Sequence, residues 1–194
     1  MIIAFCGMDG TGKTTLARSL VQDLSTSGKR SHMLHGHEYA VSSNSFSMDE
    51  NSVRRHRFWL KFLIPGAWLD NIYTYIFKYL PSARDNILIL DRYFYDKIAR
   101  MMYFGICGRK IAKLYARVLP PPDYLFLLDA EENPVHRRKP EYTEVQLGVF
   151  RENYRFLAVI LECTVIDTTR PIEVCRQRIL EVVLKDEKVK EEKK

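Results

Sequence analysis

Residues 2–15 read IIAFCGMDGTGKTT, and this stretch decides the fold. An apolar run leads into the pattern Gly7-x4-Gly12-Lys13-Thr14, and a helical pattern follows it. In that setting the pattern predicts a phosphate-binding loop. A strand carries the chain to a sheet edge, the glycines let successive N–H groups point at phosphate oxygens, and the helix N-terminus adds partial positive charge. A plain glycine turn is the alternative, but the motif is complete and both flanks match it.

The loop predicts a binding site for ATP and its magnesium ion. Lys13 is placed to reach the β- and γ-phosphates, and the Thr14 hydroxyl is placed to ligate Mg²⁺. Asp9 favours a kinase, because a carboxylate in this loop can hold or orient an acceptor opposite the γ-phosphate. The residues expected to contact ATP are Gly7, Met8, Asp9, Gly10, Thr11, Gly12, Lys13, Thr14 and Thr15.

The length and the spacing of apolar runs predict one α/β domain. A chain of 194 residues is long enough for a sheet with helices on both faces. Five short runs alternate with longer helical patterns, which predicts a three-layer fold around a five-stranded parallel sheet. The predicted strands are residues 2–6, 30–35, 86–90, 123–129 and 163–167. The predicted helices are residues 13–26, 67–80, 96–104, 108–118, 143–161 and 171–184. A Ser/Asn-rich stretch, residues 40–52, predicts a loop.

The charge balance points to small phosphorylated ligands. Net charge is +6, and the last ten residues, KDEKVKEEKK, contribute only +1 of it, so the excess lies in the folded part. Binding of polyphosphates explains this excess. Nucleic-acid binding is the competing explanation, but Lys and Arg are scattered and the densest cluster, residues 54–57, is short. We therefore expect small nucleotide substrates and no nucleic-acid partner.

Composition also predicts a soluble cytoplasmic protein. The four cysteines, Cys6, Cys107, Cys163 and Cys175, lack metal-like spacing and are expected to be reduced. The N-terminus enters a strand directly, so no signal peptide is expected. The most apolar stretch, residues 58–80, is interrupted by charges and a proline, which argues against a membrane span.

A second group of chemically suited residues follows the third predicted strand. Asp91-Arg92-Tyr93 comes directly after the run ILIL. Because ligands bind beyond the carboxyl ends of parallel strands, this triplet is expected beside the phosphate-binding loop. Asp91 could hold Mg²⁺, and Arg92 could bridge the acceptor phosphate and the transferred group. A surface Asp–Arg pair of little energetic weight is the alternative.

These two motifs resemble those of the thymidylate kinase family. The run FCGMDGTGKTT is similar to that family's F-x-G-x-D-G-x-G-K-[ST]-T, and Asp91-Arg92-Tyr93 is similar to its D-R-[YHF] signature. The resemblance covers nearly the whole chain and implies a P-loop nucleoside monophosphate kinase. It also leaves a homodimer open. Asp129, after the run YLFLL, is a second metal candidate, but the resemblance and the arginine beside Asp91 favour Asp91.

The resemblance implies a lid at about residues 131–145, within a kinase domain of residues 1–185 followed by a charged tail at 186–194. Family members with a glycine after the P-loop Asp supply a catalytic arginine from the lid, and Gly10 occupies that position here. The positive charge is then expected from Arg137 or Arg138. A solvated basic turn is the alternative. The loop at Thr168 and Arg170 resembles the segment that lines the family's adenine pocket.

The resemblance weakens where the family binds its acceptor. After the second strand this chain has Leu34-His35-Gly36-His37-Glu38-Tyr39 in place of R-E-P-G-G-T. The family's acceptor-helix arginine falls at Asp70, and its Tyr-Gln pair beside thymine falls at Arg100 and Met101. The residues expected near the acceptor are Asp9, His37, Trp68, Asp70, Arg92, Tyr93 and Arg100. The aromatics Trp68, Tyr73, Phe94 and Tyr95 could stack on a base or belong to the core.

The sequence as a whole predicts transfer of the γ-phosphoryl of ATP to a nucleoside monophosphate, with dTMP the first candidate. Positioning and charge neutralisation suffice for this reaction, without a covalent intermediate. A kinase for another small acceptor and a regulatory P-loop ATPase are the alternatives. A GTP-type switch would show an N-K-x-D motif, and the sequence has none.

Overall fold

The computed structural model describes residues 1–36, 50–138 and 140–191. Within this part of the chain, five strands form one parallel sheet in the order β2-β3-β1-β4-β5. The strands are β1 Ile2–Gly7, β2 Ser31–Leu34, β3 Ile87–Leu90, β4 Tyr124–Asp129 and β5 Thr164–Asp167. Each lies within two residues of a predicted strand, so the predicted α/β fold with a five-stranded parallel sheet is confirmed.

Helices connect the strands. They are α1 Lys13–Thr26, α2 Glu50–Leu60, α3 Ile64–Thr74, α4 Leu80–Ala83, α5 Phe94–Tyr103, α6 Arg109–Val118, α7 Glu132–Arg138, α8 Glu144–Leu161 and α9 Ile172–Glu191. A 3-10 turn, Lys61–Leu63, joins α2 to α3, and a π turn, Tyr75–Tyr79, joins α3 to α4.

Two helices were not predicted. The predicted loop at residues 40–52 is wrong at its end, because α2 already begins at Glu50, and the remainder, residues 40–49, lies outside the described residues. The other is α7 in the lid region, where Pro134 and the basic run hide a short helix. Its seven residues enclose one fully buried side chain, Val135, too few for a periodic signal.

Alternate residues of the strands supply two apolar layers. Ile3, Phe5 and Ile89 face α1 and α9, where they pack with Leu20 and Ile179. The opposite faces of the same strands pack against α5, α6 and α8, through Ile2, Ala4, Cys6, Leu88, Leu90 and Leu127. Burial on both faces explains why β1 and β3 read as continuous apolar runs.

The strand order places the carboxyl ends of β1 and β3 side by side at the centre of the sheet. From β1 the chain moves to one side, through β2 and β3, and then crosses to β4 on the other side of β1. Ligands of open α/β sheets bind at such a reversal. The phosphate-binding loop follows β1 and the Asp91-Arg92 pair follows β3, so the fold brings the two motifs to this point.

All four cysteines are free thiols, as expected. Burial raises the pKa of Cys107 and the pKa of Cys163 to about 11, so both thiols are protonated at neutral pH and are poor nucleophiles. Among the described residues, the helices include none whose length and apolar character would let it cross a bilayer.

Candidate active site

The loop after β1 has the backbone that a phosphate cradle requires. Gly7 lies at φ +146°, and a Cβ there would approach the Leu128 carbonyl oxygen to 2.5 Å. Gly10 and Gly12 both have φ +89°. These conformations turn the loop back on itself, and the loop then runs directly into α1 at Lys13. The sequence requirement for glycine here is therefore steric.

Lys13 is buried under this loop. Its Nζ donates to the carbonyl oxygens of Gly7 and Met8, each at 2.7 Å, and lies 3.7 Å from Asp9 Oδ1. Burial and the nearby Arg92 guanidinium lower the pKa of Lys13, and three surrounding carboxylates oppose that shift. The ammonium group therefore sits inside the ring of the loop, at the floor of the predicted phosphate site.

Arg92 reaches the loop from the end of β3. Its Nη2 donates to Asp9 Oδ1, which pairs two of the side chains that the sequence analysis expects near the acceptor. The backbone of Arg92 is fixed from the other side by Gly36, because a Cβ on that glycine would lie 2.0 Å from the Arg92 carbonyl oxygen. The π turn contributes Tyr79, whose hydroxyl donates to the Gly36 carbonyl oxygen at 3.0 Å.

Asp91 and Thr14 form a pair suited to a magnesium ion. Thr14 Oγ1 donates to Asp91 Oδ2 at 2.6 Å, and His35 Nδ1 lies 3.1 Å from the same oxygen. The other carboxylate oxygen, Asp91 Oδ1, is buried and has no hydrogen-bond partner among the described residues. An orphaned buried carboxylate oxygen beside a hydroxyl fits Mg²⁺, which takes few protein oxygens and keeps several waters.

The segment expected to form a lid reaches the site through α7. Arg138, the last residue of α7, donates from Nη1 to the Gly10 carbonyl oxygen at 3.3 Å. A contact of 2.7 Å between His136 Nδ1 and the Tyr142 carbonyl oxygen joins α7 to the segment that follows it. Arg138 thus joins the loop and Arg92 around a cavity of about 440 Å³, lined by Asp9, Gly10, Gly12, Lys13, Thr14, Thr15, Arg92 and Arg138. Arg137 is exposed and is not among the lining residues.

Asp129, the second metal candidate, is held by arginines. Arg151 on α8 donates to both of its carboxylate oxygens, at 2.7 and 3.2 Å, and Arg155 donates to Oδ2 at 2.8 Å. Those hydrogen bonds lower the pKa of Asp129 against the opposing effect of burial. Arg151 also donates to Glu132 on α7. Asp129 therefore belongs to an ion-pair network that joins α7 to α8.

Comparison with known proteins places the chain in a family. The thymidylate kinase family model matches residues 5–179. The chain belongs to the thymidylate kinase family. A probable thymidylate kinase of Sulfurisphaera tokodaii is 23% identical over 188 residues, 93% of this chain and 94% of that protein. One of Archaeoglobus fulgidus is 25% identical over 208 residues, 94% of each chain. The predicted family and the predicted enzyme class, a phosphotransferase, are confirmed.

A solved thymidylate kinase structure from Ehrlichia chaffeensis shares the fold. It superposes with a TM-score of 0.64 over 94% of this chain and 98% of that one, at 18% sequence identity. At this identity the likeness concerns architecture alone. It agrees with the five-stranded parallel sheet described above.

One buried residue of this thymidylate kinase family member escaped the sequence analysis. Asp96 Oδ1 accepts from the Gly7 backbone N–H at 3.1 Å and from the Tyr154 hydroxyl at 2.8 Å. Its Oδ2 accepts from the Tyr93 backbone N–H at 3.0 Å, which caps α5. Asp96 thus connects the phosphate-binding loop to the helix that follows Arg92. The sequence signal that could have identified it is an Asp at the position where the family pattern D-R-Y-x-x-S has Ser.

The structure places the remaining predicted site residues in different environments. Tyr93 is buried, and its hydroxyl donates to the Pro120 carbonyl oxygen at 2.5 Å. Trp68 donates from Nε1 to the Val118 carbonyl oxygen at 3.4 Å. Arg170 lines a separate groove between β5 and α9. The other aromatics named with Trp68 divide between the core, which holds Phe94 and Tyr95, and the surface, which exposes Tyr73.

Four predicted site residues remain: Thr168, Asp70, Arg100 and His37. Thr168 donates through its backbone N–H to the Asp129 carbonyl oxygen at 2.8 Å, which fixes the loop after β5. Asp70 on α3 and Arg100 on α5 are both half-buried. His37 lies outside the described residues.

Proposed function

We propose that the protein transfers the γ-phosphoryl group of ATP to a nucleoside monophosphate, with dTMP as the principal acceptor. The observation that carries the proposal is the single cavity in which Lys13, Arg92 and Arg138 converge beside Thr14. Three cations from three segments of the chain match the charge of two phosphorylated substrates. Membership of the thymidylate kinase family supports dTMP over a non-nucleotide acceptor and over a regulatory ATPase.

The proposed roles follow from position. The loop N–H groups and Lys13 hold the β- and γ-phosphates of ATP, and Thr168 and Arg170 lie in the loop proposed to border the adenine. Thr14 and Asp91 would hold Mg²⁺, which would supply charge neutralisation at the phosphates. His35, which lies 3.1 Å from Asp91 Oδ2 and is half-exposed, would be able to move aside if Asp91 held the ion.

Arg92 and Arg138 act on the transferring group itself. Arg92, oriented by its ion pair with Asp9, binds the acceptor phosphate and draws it toward the γ-phosphate. Arg138 approaches from the lid and meets the charge that develops on the transferred phosphoryl group. Asp96 sets the distance between the loop and Arg92 through its bond to Gly7 N–H. No side chain needs to form a covalent intermediate.

A screen of acceptors tests the proposed function. Consumption of ATP is measured with nucleoside monophosphates, with nucleosides and without acceptor, and the phosphorylated products are identified by chromatography. We expect dTMP to stimulate ATP consumption far above the acceptor-free rate. Equal rates with and without every acceptor would favour a regulatory ATPase and overturn the proposal.

We expect weak discrimination between dTMP and dUMP. The family's base-reading groups are replaced by Asp70, Arg100 and Met101, and a lost hydrogen bond to a base edge costs selectivity that a single methyl contact does not restore. Competition of the two nucleotides in one reaction, with both diphosphate products measured, gives the ratio. A preference for dTMP beyond about a hundredfold would mean that other residues rebuild a thymine-specific site.

The proposed setting is the cytoplasm, where ATP and nucleotides are available, and the proposed assembly is a homodimer. An exposed apolar surface on α2, the two turns and α3–α4 supports the dimer. It comprises Phe58, Trp59, Phe62, Leu69, Tyr73, Ile76, Phe77 and Leu80. Its five aromatic side chains are about three-fifths exposed and leave on the order of 600 Å² of apolar area. That is most of the ~800 Å² that each partner contributes to a stable interface.

The salt dependence of dimerisation distinguishes a dimer from binding of this surface to a membrane or a nucleic acid. Residues 53–84 hold six Lys or Arg and one Asp, so two copies repel each other at low salt. We expect the dimer to tighten as ionic strength rises, whereas binding to an anionic membrane or a nucleic acid would weaken. Sedimentation at low and high salt measures the strength of the dimer. Phe77→Glu should give monomers, and the matched change Val145→Glu, at an exposed position of α8, should not. A monomer at all salt concentrations contradicts the dimer.

A further inference from the structure

His35 lies beside the proposed magnesium site but takes no part in the transfer proposed above. Its Nδ1 is 3.1 Å from Asp91 Oδ2, and Thr14 Oγ1 donates to the same oxygen at 2.6 Å. The Asp91 side chain is 1% exposed, whereas the His35 side chain is 39% exposed. An imidazole, a hydroxyl and a carboxylate thus meet at the boundary between the core and solvent. Proteins use all three groups as ligands of divalent ions.

The backbone at the ends of β2 and β3 fixes the imidazole in this position. The Asp91 backbone N–H donates to the Leu34 carbonyl oxygen at 3.1 Å, so the ends of the two strands stay paired. The residue after His35 is Gly36, whose carbonyl oxygen accepts from the Tyr79 hydroxyl at 3.0 Å. His35 therefore lies between two anchored residues, and the fold itself presents its side chain to Asp91.

The distances around Asp91 suit a shared ion. Two ligands at right angles around an ion, each about 2.1 Å from it, lie about 3 Å apart. The distances of 2.6 and 3.1 Å from Asp91 Oδ2 to Thr14 and His35 bracket that value. The other carboxylate oxygen, Asp91 Oδ1, is buried without a hydrogen-bond partner among the described residues. A carboxylate left in this state favours a cation beside it.

A nitrogen ligand changes which ion such a site prefers. Mg²⁺ takes oxygen ligands and gives up water reluctantly. Imidazole nitrogen suits borderline ions such as Fe²⁺, Co²⁺ and Zn²⁺. The half-exposed His35 side chain can respond to either kind of ion. It can move aside for Mg²⁺, or it can turn its ring nitrogen toward a borderline ion.

The phosphates of a nucleotide have to complete the coordination. Among residues 1–36, 50–138 and 140–191, no three His, Cys, Asp or Glu side chains gather to hold a metal ion. Thr14 lines the phosphoryl-transfer cavity, so an ion on its hydroxyl would face the bound phosphates. We therefore expect the preference set by His35 to appear when nucleotide is bound.

We propose that His35 is a third protein ligand of the divalent-cation site, and that its imidazole makes the site select a borderline transition ion over Mg²⁺. The class of ion is that of Fe²⁺, Co²⁺ and Zn²⁺, which accept one nitrogen among oxygen ligands. The inference rests on the proposed function, because the phosphates of ATP bring the ion to Thr14 and Asp91.

The test compares the parent with His35→Ala, His35→Gln and the control His32→Ala, which removes a half-buried imidazole from the same strand region. Binding of Co²⁺ and of Mg²⁺ is measured by calorimetry with a non-hydrolysable ATP analogue and no acceptor. X-ray absorption at the cobalt edge reports an imidazole ligand. We expect His35→Ala to weaken Co²⁺ binding about tenfold or more, to leave Mg²⁺ binding nearly unchanged and to lose the imidazole signal.

The two other variants sharpen the result. His35→Gln offers an amide oxygen, so it should bring the Co²⁺ and Mg²⁺ affinities closer together and show no imidazole signal. His32→Ala should match the parent in both affinities and in the spectrum. Melting temperatures of all variants should stay close to that of the parent, since both side chains are only partly buried.

The outcomes separate this inference from the proposed function. A parent spectrum without imidazole, an imidazole signal that persists in His35→Ala, or equal losses of Co²⁺ and Mg²⁺ binding would overturn the inference. Phosphorylation of dTMP by such a protein would still support the proposed function. Co²⁺ bound through His35, without phosphoryl transfer to any nucleoside monophosphate, would support the inference and overturn the proposed function. A protein that binds neither ion with the ATP analogue would overturn both.

Discussion

Replacement of Lys13 or Arg92 by alanine is expected to reduce phosphoryl transfer by about 10²–10³ while the protein remains folded. Both residues line the cavity after β1 and β3, and both are proposed to neutralise phosphate charge in the transition state. Lys13 donates to the loop carbonyls of Gly7 and Met8 and lies 3.7 Å from Asp9 Oδ1, and these loop groups can turn to water when the ammonium is removed. The stability loss should therefore be small.

Turnover and thermal melting of both variants test this expectation. Arg18→Ala is a suitable control, because Arg18 is an exposed arginine on α1, away from the lining residues of the cavity. If Arg92→Ala retains more than about a third of the parent rate, its ion pair with Asp9 is structural and its proposed role is wrong.

Arg138→Ala is expected to lower kcat by about 10²-fold or more and to change ATP affinity much less. The guanidinium reaches the loop at Gly10 from the end of α7, where it would meet the transferring phosphoryl group mainly in the transition state. Its neighbour Arg137 is exposed and does not line the cavity, so Arg137→Ala provides a matched control with the same charge change.

Steady-state rates and calorimetric ATP titration separate the two effects for each variant. A double replacement should behave like Arg138→Ala alone. An unchanged kcat in the double variant would mean that the basic run is a solvated turn. A large loss in Arg137→Ala alone would move the role to that residue.

The parts of the fold that are encoded locally could be predicted. The loop after β1 is specified by consecutive residues with steric requirements, and the strands are short apolar runs whose burial on both faces leaves a plain signal. Asp91 and Arg92 could be placed beside the loop because parallel strands end at a common edge. The fold, the family and the enzyme class followed from these patterns.

The parts that depend on contacts distant in sequence could not be predicted. Asp96 gains its importance from Gly7 and Tyr154, 89 and 58 residues away, and an Asp in the first turn of a helix suggests only a cap. Asp129 was the second metal candidate in the sequence, and the structure shows that Arg151 and Arg155 of α8 surround it. Lys97 reads as one charged residue on an amphipathic helix, and only the packing of α3 reveals its burial.

Gly36 has a consequence for how such a protein can diverge. The segment after β2 differs from the family pattern at almost every position, yet this glycine backbone lies against the Arg92 carbonyl group with no room for a Cβ. Any larger residue would press on the backbone of Arg92, the arginine proposed to bind the acceptor phosphate. Neighbouring residues can therefore change with the acceptor, whereas position 36 is expected to stay glycine as long as Arg92 keeps its proposed role.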